Sequence, residues 1–344
     1  MANLPHRTKS RPVPSLTQEM TMEILSHLSV KDLLRYRSVC KAWRTLIDSP
    51  SFIRMQLKCS KLGLFINGQQ NLYWLDLDTL DSVDRLGESI VSLMPPPDTG
   101  YMGCCNGLII ATDDTICNPS TRNYMKLSPL SMVIGFGYDP LIDDYKLVIE
   151  APLCGTQLHC VKAKTWKKLS CSDAFSKNYG YHSGHAFVEN RLYWMVWSKA
   201  SCTRFIFSLD LQTEKHSTLA FPFDTKTTCV FGPVEFEGCI CVVRCDTKAT
   251  NLPWSFEIWG MRDHKECDCS WTMLFSLVAH DSDSFYYVLP LKYYKTTNQI
   301  LLKIGYKLFL YDLKTNTYEP LNVPFLAKYE RVGAFLGVQS LVGF

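Results

Sequence analysis

A short turn pattern that recurs along the later part of the chain constrains the fold more than any other feature. The pattern D-L-x-T and its weaker relatives begin at Asp76, Asn118, Lys162, Asp210 and Asp312. Each copy separates two strand-like runs, and side chains of Asp, Asn and Thr bond to nearby backbone in tight turns. A leucine follows nine residues after the start of three copies, at Leu127, Leu219 and Leu321. The pattern therefore predicts repeated hairpins that share an outer strand.

The spacing of these turns predicts the architecture. The turns recur at intervals of roughly 40–50 residues, the length of one blade of a kelch-like β-propeller. The interval from Asp210 to Asp312 holds two units, with the missing turn near residues 260–263. We therefore expect an all-β propeller of about six blades, in which the end strands Leu62–Ile66 and Val332–Val342 complete one blade. The alternatives are a seventh blade, or two irregular β-sandwiches with coincidental turns.

The first 58 residues have helical rather than strand periodicity. Ser29 with Asp32 is typical of a capped helix start, and Ser15 with Gln18 indicates an earlier one. Two sets of apolar residues recur at helical spacing, Leu16, Met20, Ile24 and Leu28, then Val39, Trp43, Leu46 and Ile47. They predict two or three short helices over residues 15–58, after a disordered tail at 1–14. So few helices bury little core, which leaves apolar surface for a partner to cover.

Composition and charge narrow the class of protein. The chain of 344 residues has 47% hydrophobic and 20% charged residues, with no apolar run long enough for a membrane span and no secretory signal. Its 15 cysteines predict reduced thiols in the cytoplasm or nucleus.

The first segment of the chain is basic, since residues 1–58 hold ten Lys/Arg against four Asp/Glu. The last predicted helix has apolar residues along one face, whereas a DNA-recognition helix needs polar side chains to contact the base edges. An acidic protein partner is therefore favoured over nucleic acid.

The sequence offers no grouping typical of an enzyme. The carboxylate pairs Asp113-Asp114 and Asp143-Asp144 lie in polar turns as adjacent residues, so their side chains diverge. No nucleophile elbow, phosphate-binding loop or dinucleotide fingerprint is present. His182 and His185 have no Cys or Glu at ligand spacing beside them. We therefore expect no catalysis, no metal site and no cofactor.

The helical segment also resembles a known family. Residues 16–52, LTQEMTMEILSHLSVKDLLRYRSVCKAWRTLIDSPSF, resemble the plant form of the F-box. Two positions depart from the family, Thr17 after Leu16 and Ser29 before the second helix, where proline is usual. The resemblance implies that residues 15–58 bind a Skp-type adaptor and, through it, a cullin scaffold. The positions that match the adaptor-binding residues of the family are Leu16, Leu28, Val30, Leu33, Val39 and Trp43.

The strand-rich segment resembles the F-box-associated domain of plants. The resemblance is carried by Cys105-Asn106-Gly107-Leu108-Ile109, by Gly135-Phe136-Gly137-Tyr138-Asp139-Pro140 and by Asp143-Asp144-Tyr145-Lys146-Leu147-Val148. It implies that residues 59–344 form a propeller that recruits a protein substrate to a Skp–cullin–F-box (SCF) ubiquitin ligase. The general look is closest to the immune-regulating members. The alternatives are a protein-interaction module outside any ligase and a glycan-binding propeller.

The substrate surface is predicted on long connections between blades. The repeat assigns 87–102, 170–185 and 278–287 to connections from an outer strand to the next inner strand, which all emerge on one face. Aromatic side chains on loops over a rigid scaffold are common anchors of protein recognition. The predicted anchors are Tyr101, Phe175, Tyr179, Tyr181, Phe285, Tyr286 and Tyr287. The alternative is that these residues begin inner strands and pack the blades together.

Overall fold

A computed structural model describes most of the chain in twelve ranges. These are residues 16–67, 72–79, 90–94, 101–111, 115–127, 132–151, 155–169, 179–246, 254–261, 270–279, 287–321 and 333–344. The chain divides into two compact units, Met1–Ser60 and Lys61–Phe344. The first unit is helical and the second consists of strands.

Four short helices form the described part of the first unit, where the sequence predicted two or three. They are α1 (Gln18–Ser26), α2 (Val30–Tyr36), α3 (Lys41–Ile47) and α4 (Pro50–Cys59). The predicted cap of α2 is confirmed, since Ser29 Oγ accepts the backbone N–H of Asp32 at 3.1 Å. The cap of α1 is Thr17 instead of Ser15. The fourth helix was missed, although Ser49 before Pro50 is a strong start signal.

The predicted apolar face from Val39 to Ile47 is wrong at its first residue. Val39 lies in the turn between α2 and α3 and is 63% exposed, whereas Leu46 and Ile47 are buried. The helical spacing is interrupted because Cys40 is extended and caps α3 through its Sγ. The core of this unit is instead formed by Leu25, Val30, Leu33, Leu46, Ile47 and Phe52.

The second unit is a β-propeller of six four-stranded blades, as the spacing of the turns predicted. Blade 1 contains β24 (Gly333–Val338), β1 (Leu62–Asn67), β2 (Leu72–Asp76) and β3 (Ile90–Met94). Blade 2 contains β4 (Tyr101–Cys105), β5 (Leu108–Ala111), β6 (Thr115–Asn118) and β7 (Asn123–Lys126). Blade 3 contains β8 (Met132–Asp139), β9 (Asp144–Ala151), β10 (Gly155–Cys160) and β11 (Thr165–Lys168).

The other three blades follow the same order. Blade 4 contains β12 (Tyr179–Val188), β13 (Arg191–Ser198), β14 (Arg204–Asp210) and β15 (His216–Leu219). Blade 5 contains β16 (Thr228–Phe236), β17 (Cys239–Asp246), β18 (Trp254–Met261) and β19 (Thr272–Ala279). Blade 6 contains β20 (Val288–Tyr294), β21 (Gln299–Ile304), β22 (Lys307–Asp312) and β23 (Thr317–Pro320). First strands of successive blades contact one another, as β4 does β8 and β12 does β16, which places them around the centre.

Blade 1 closes the ring with strands from the two ends of the propeller, as predicted. β24 pairs antiparallel with β1, and Leu64 lies opposite Leu336. The residues after β24 then bond to blade 2, because Asn118 Nδ2 donates to the carbonyls of Ser340 at 3.0 Å and Val342 at 2.8 Å. Pairing the two end strands in one blade joins the ends of the propeller and leaves only short, protected sheet edges.

The repeated turn follows one hydrogen-bond scheme. The Asp210 carboxylate accepts the backbone N–H groups of Gln212 and Thr213, both at 2.9 Å. Asp312 does the same for Lys314 and Thr315, at 2.8 and 3.0 Å. The residue four positions after the turn's first residue then has positive φ, as Glu214 and Asn316 show. The side-chain acceptors explain why Asp or Asn recurs here.

The structure corrects the position of this turn in blade 3. The residue with positive φ is Lys164, so the turn begins at Cys160, two residues before the predicted Lys162. Leu169, nine residues after Cys160, is buried and takes the position of Leu127, Leu219 and Leu321, which are partly buried. Cysteine cannot accept these bonds well, and Asp144 of β9 accepts them instead, from Lys162 N at 2.8 Å and Ala163 N at 3.0 Å. The acceptor has moved to the neighbouring strand.

The role of Asp144 as acceptor for the blade 3 turn can be tested with a destabilising variant and a second substitution that restores stability. We expect Asp144→Ala to lower the free energy of unfolding by about 1–3 kcal/mol, because the part-buried hydrogen bonds from the N–H groups of Lys162 and Ala163 lose their acceptor. Adding Cys160→Asp should restore part of the loss, because it recreates the carboxylate used in blades 4 and 6. Urea unfolding of both variants measures this, with Cys202→Asp as a control at an exposed cysteine. An unchanged midpoint for Asp144→Ala, or no recovery in the double variant, would contradict the scheme.

A histidine joins three blades at the centre of the propeller. His185 of β12 accepts the N–H of Phe136 in β8 at 3.2 Å, and its ring lies against Gly103 of β4, where an added Cβ would come within 2.7 Å. Its Nδ1 is buried without a hydrogen-bond partner among the described residues. Burial lowers the pKa of His185 from 6.5 to about 4. Protonation therefore opposes folding.

The sign of the pH dependence follows from this lowered pKa. Between pH 6.5 and about 4 the unfolded chain binds the extra proton and the folded chain does not, so stability falls as the pH falls through this window. We expect a loss of up to about 3 kcal/mol. His185→Gln keeps an acceptor for Phe136 and should flatten the thermal-melting profile between pH 7.5 and 4.5. The exposed His216→Gln is the control, and equal slopes in all three proteins would refute the assignment.

Candidate interaction surfaces

The helical unit carries an exposed apolar row on α1, which Leu16 extends just before the helix begins. Met20 and Ile24 lie one turn apart on one side of α1. The side chains of Leu16, Met20 and Ile24 are 58%, 53% and 53% exposed, whereas Leu25 of α1 is buried and the helix packs on α4. Large apolar side chains left outside a small core are typical of a protein-binding surface.

The six predicted adaptor-binding residues divide between core and surface. Val30 and Leu33 are 1% and 0% exposed, so they support the module from within. Leu16 and Val39 are exposed, and Leu28 and Trp43 are half-buried. Trp43 meets the ring of Tyr36 edge-on at 5.5 Å. Adaptor binding by these residues remains a prediction.

Two further residues of the exposed apolar row could have been predicted from their spacing in the sequence. Met20 and Ile24 belong to the same four-residue row as Leu16, and both are more than half exposed. Tyr36, at the end of α2, is also exposed. The described part of this unit holds seven Lys/Arg against four Asp/Glu. The exposed row therefore lies on a positively charged unit, which suits an acidic partner.

The predicted substrate connections need correction. The range 87–102 contains the outer strand β3, so the connection itself is limited to residues 95–100. Tyr101 begins β4, and Tyr179 and Tyr181 lie in β12, so these three belong to inner strands, as the alternative held. Side chains of a strand alternate every two residues, so the sequence pattern did not show at which residue each strand begins. Phe175, Phe285 and Tyr286 lie outside the described residues.

Tyr287 is the predicted anchor whose side chain the structure describes. It lies just before β20, is 41% exposed and meets Phe231 edge-on with 5.8 Å between ring centroids. One side of its ring therefore packs on blade 5 while the rest faces solvent. Its role in substrate binding remains a prediction.

The motif from Gly135 to Val148 joins blade 3 to blade 4. Gly135 and Gly137 leave room for rings of blade 4, since an added Cβ would come within 2.4 Å of Trp194 and 2.5 Å of Phe187. Lys146 Nζ pairs with Asp139 at 2.8 Å and donates to the carbonyl of Leu211 in blade 4 at 2.5 Å. Both charged side chains are at most 5% exposed. The motif is therefore structural.

A groove of about 500 Å³ opens between blades 3 and 4 beside this motif. Asp139, Lys146 and Glu214 are among its lining residues, together with Leu141 and Ile142 of the β8–β9 turn. Leu141 is 75% and Ile142 54% exposed. This surface was not predicted from the sequence, because the groove brings together residues of two blades that are far apart in the chain.

The structure adds two plain findings about other classes of site. Within the described ranges, no three His, Cys, Asp or Glu side chains are grouped so that they could hold a metal ion. Across the same residues, no helix has the length and apolarity that crossing a bilayer requires.

Comparisons with known proteins match both units. Residues 13–55 match the F-box domain, and residues 87–328 match the F-box associated beta propeller domain. The chain is 26% identical to F-box protein CPR1 of Arabidopsis thaliana, over 90% of this chain and 84% of that protein. It is 24% identical to F-box protein At4g22390 of the same plant, over 87% and 84% of the two chains. F-box/kelch-repeat protein At3g23880 is 25% identical, over 76% of this chain and 79% of its own.

Proposed function

Because this chain belongs to the family of F-box proteins with an F-box-associated β-propeller, we propose that it is the substrate-recruiting subunit of an SCF ubiquitin ligase. The observation that carries the proposal is the exposed apolar row formed by Met20 and Ile24 on α1 and by Leu16 just before it. Such a row is costly to leave in water and is suited to burial against a Skp-type adaptor.

The proposed mechanism is proximity. The F-box unit holds the adaptor and, through it, the cullin scaffold, while the propeller holds a protein substrate. Tethering raises the effective concentration of substrate lysines near the ubiquitin-charged enzyme on the same scaffold. In this proposal the chain supplies binding and orientation, the ligase supplies the chemistry, and the place of action is the cytoplasm or the nucleus.

Two alternatives from the sequence analysis receive less support. A glycan-binding propeller would present exposed tryptophans as stacking platforms, and Trp166 is 50% exposed. Trp166, however, stacks on His159 of the neighbouring strand at 4.2 Å. One face of its ring is therefore already covered within the blade. A module outside any ligase would leave the α1 row without its partner.

Reconstitution tests the proposal directly. The full chain, a Skp-type adaptor and a cullin are co-expressed, and we expect one complex that elutes together in gel filtration at stoichiometric ratio. Affinity capture with an adaptor-blind variant, followed by mass spectrometry, then identifies proteins that accumulate on the propeller when ubiquitination is blocked. An adaptor that fails to co-elute with the folded chain would refute the ligase function.

A further inference from the structure

The turn between β8 and β9 presents two adjacent aliphatic side chains to solvent. Leu141 and Ile142 are 75% and 54% exposed, yet the flanking Asp139 and Asp144 are 2% and 3% exposed. The carboxylate of Asp139 also accepts the N–H of Leu141 at 3.0 Å. The turn is therefore held firmly at its base while its apolar tip has no cover. Water-exposed aliphatic pairs on a fixed turn are costly and suit a partner's apolar side chain.

The charged side chains that line the groove beside this tip are paired with one another. Lys146 is paired with Asp139 at 2.8 Å and lies 3.8 Å from Glu214. Glu214 also pairs with Lys167, which lies on the outer strand β11 and lines the groove. The floor therefore offers neither a free carboxylate nor a free ammonium group to a ligand.

The rim of the groove, in contrast, has surplus positive charge. Lys164 precedes the lining residues Thr165–Lys167, and Lys215 follows Glu214. Both lysines are exposed, and neither has an ion-pair partner within the described ranges. The nearby carboxylates are engaged, since Asp143 pairs with Lys162 at 3.2 Å and Asp144 accepts backbone N–H groups. A partner with negative charge would meet unpaired cations around an apolar tip.

We propose that the Leu141–Ile142 tip and its lysine rim bind an acidic segment of a partner protein that carries a large apolar side chain. The apolar side chain of the partner packs on Leu141 and Ile142 above the groove. Its carboxylates lie beside Lys164 and Lys215. This inference rests on the proposed function in so far as the partner is the substrate, and it names the chemical class of that substrate.

The geometry favours this occupant over others. The apolar pair supplies desolvation at the centre, and the lysines form a polar rim, as in ordinary protein interfaces. A nucleic acid would use the lysines but would leave Leu141 and Ile142 exposed. A second copy of this chain would have to bring acidic and apolar groups to the same positions. Both are outcomes that the following experiment separates.

Selection from a displayed library of random twelve-residue peptides on the full chain is the test. We expect enriched peptides with several Asp or Glu residues around one Leu, Ile, Met, Phe or Trp. Fluorescence polarisation then gives affinities for the best peptide. Leu141→Ser with Ile142→Ser should weaken binding at least tenfold, and so should Lys164→Glu with Lys215→Glu. Raising salt from 50 to 500 mM should weaken wild-type binding severalfold, because exposed charges are screened.

Matched controls show whether the effect is local. Tyr124→Ser removes another exposed apolar side chain, 73% exposed on blade 2, and Lys307→Glu with Lys314→Glu makes the same charge change on blade 6. These variants should bind the peptide like the wild type, and every variant should keep its melting temperature. No enrichment, enrichment of neutral or basic peptides, or unchanged affinity in the Leu141/Ile142 variant would overturn the proposal. Wild-type self-association that this variant abolishes would also overturn it, in favour of a second copy.

The same variants separate this proposal from the ligase function. All propeller variants should still co-elute with the Skp-type adaptor, because the α1 row is untouched. If the wild-type chain binds acidic peptides but no adaptor, the ligase function fails and this surface stands. If it binds the adaptor but selects no acidic peptide, the surface fails and the ligase function stands.

Discussion

Replacing Met20 and Ile24 together with aspartate is expected to abolish binding of the Skp-type adaptor while the chain stays folded. Both side chains are 53% exposed, so the substitutions do not disturb the core around Leu33. Burying each apolar side chain in an interface is worth about 1.5–3 kcal/mol, and two carboxylates would add a desolvation cost. A loss of roughly 3–6 kcal/mol corresponds to about 10²–10⁴-fold in affinity. Surface plasmon resonance with purified adaptor measures it.

The control for this experiment changes charge without removing apolar surface. Gln18→Asp with Ser51→Asp adds the same two carboxylates in the first turns of α1 and α4, where the helix dipole favours negative charge. This pair should bind the adaptor nearly as well as the wild type. Far-ultraviolet circular dichroism should be the same for all three proteins. Wild-type affinity in the Met20/Ile24 variant would remove α1 from the interface.

Asp139→Ala is expected to be the most destabilising single substitution in the propeller. It leaves the ammonium group of Lys146 buried at 5% exposure, close only to Glu214 at 3.8 Å and a carbonyl oxygen. Removing one partner of a buried ion pair costs about 3–5 kcal/mol, because the other charge stays desolvated. We expect the melting temperature of the propeller to fall by about 10 °C.

A second substitution separates the charge from the packing. Asp139→Ala with Lys146→Met replaces the uncompensated cation by an apolar side chain of similar length. Because buried ion pairs are often no more stable than apolar replacements, this double variant should recover most of the lost stability. The exposed pair Asp32–Arg35, at 3.4 Å, is the comparison, and Asp32→Ala should cost less than about 1 kcal/mol from that pair. Equal effects of Asp139→Ala and the double variant would show that packing, and not charge, is decisive.

The repeated turn and an estimate of about six blades were predictable from the sequence. Turns such as those at Asp210 and Asp312 depend on bonds between a side chain and backbone two or three residues away, so their signal is local and survives in the sequence. A seventh blade remained possible on the sequence alone, and the structure has six. The two end strands were predicted to share a blade because both were left over from the repeat. The cap at Ser29 was predictable because it too is a local hydrogen bond.

Which apolar residues are core and which are surface depends on tertiary packing. Val30 and Leu33 are apolar side chains like Leu16 and Met20, but the packing of the four helices buries the first two and leaves the others exposed. Asp144 serves the turn of blade 3 because β9 and β10 are neighbours, a contact that no local pattern encodes. The exposed tip at Leu141 and Ile142, the balanced groove and the central His185 likewise arise where blades meet. Such contacts join residues far apart in the chain, and burial, charge balance and pKa depend on those contacts and not on local periodicity.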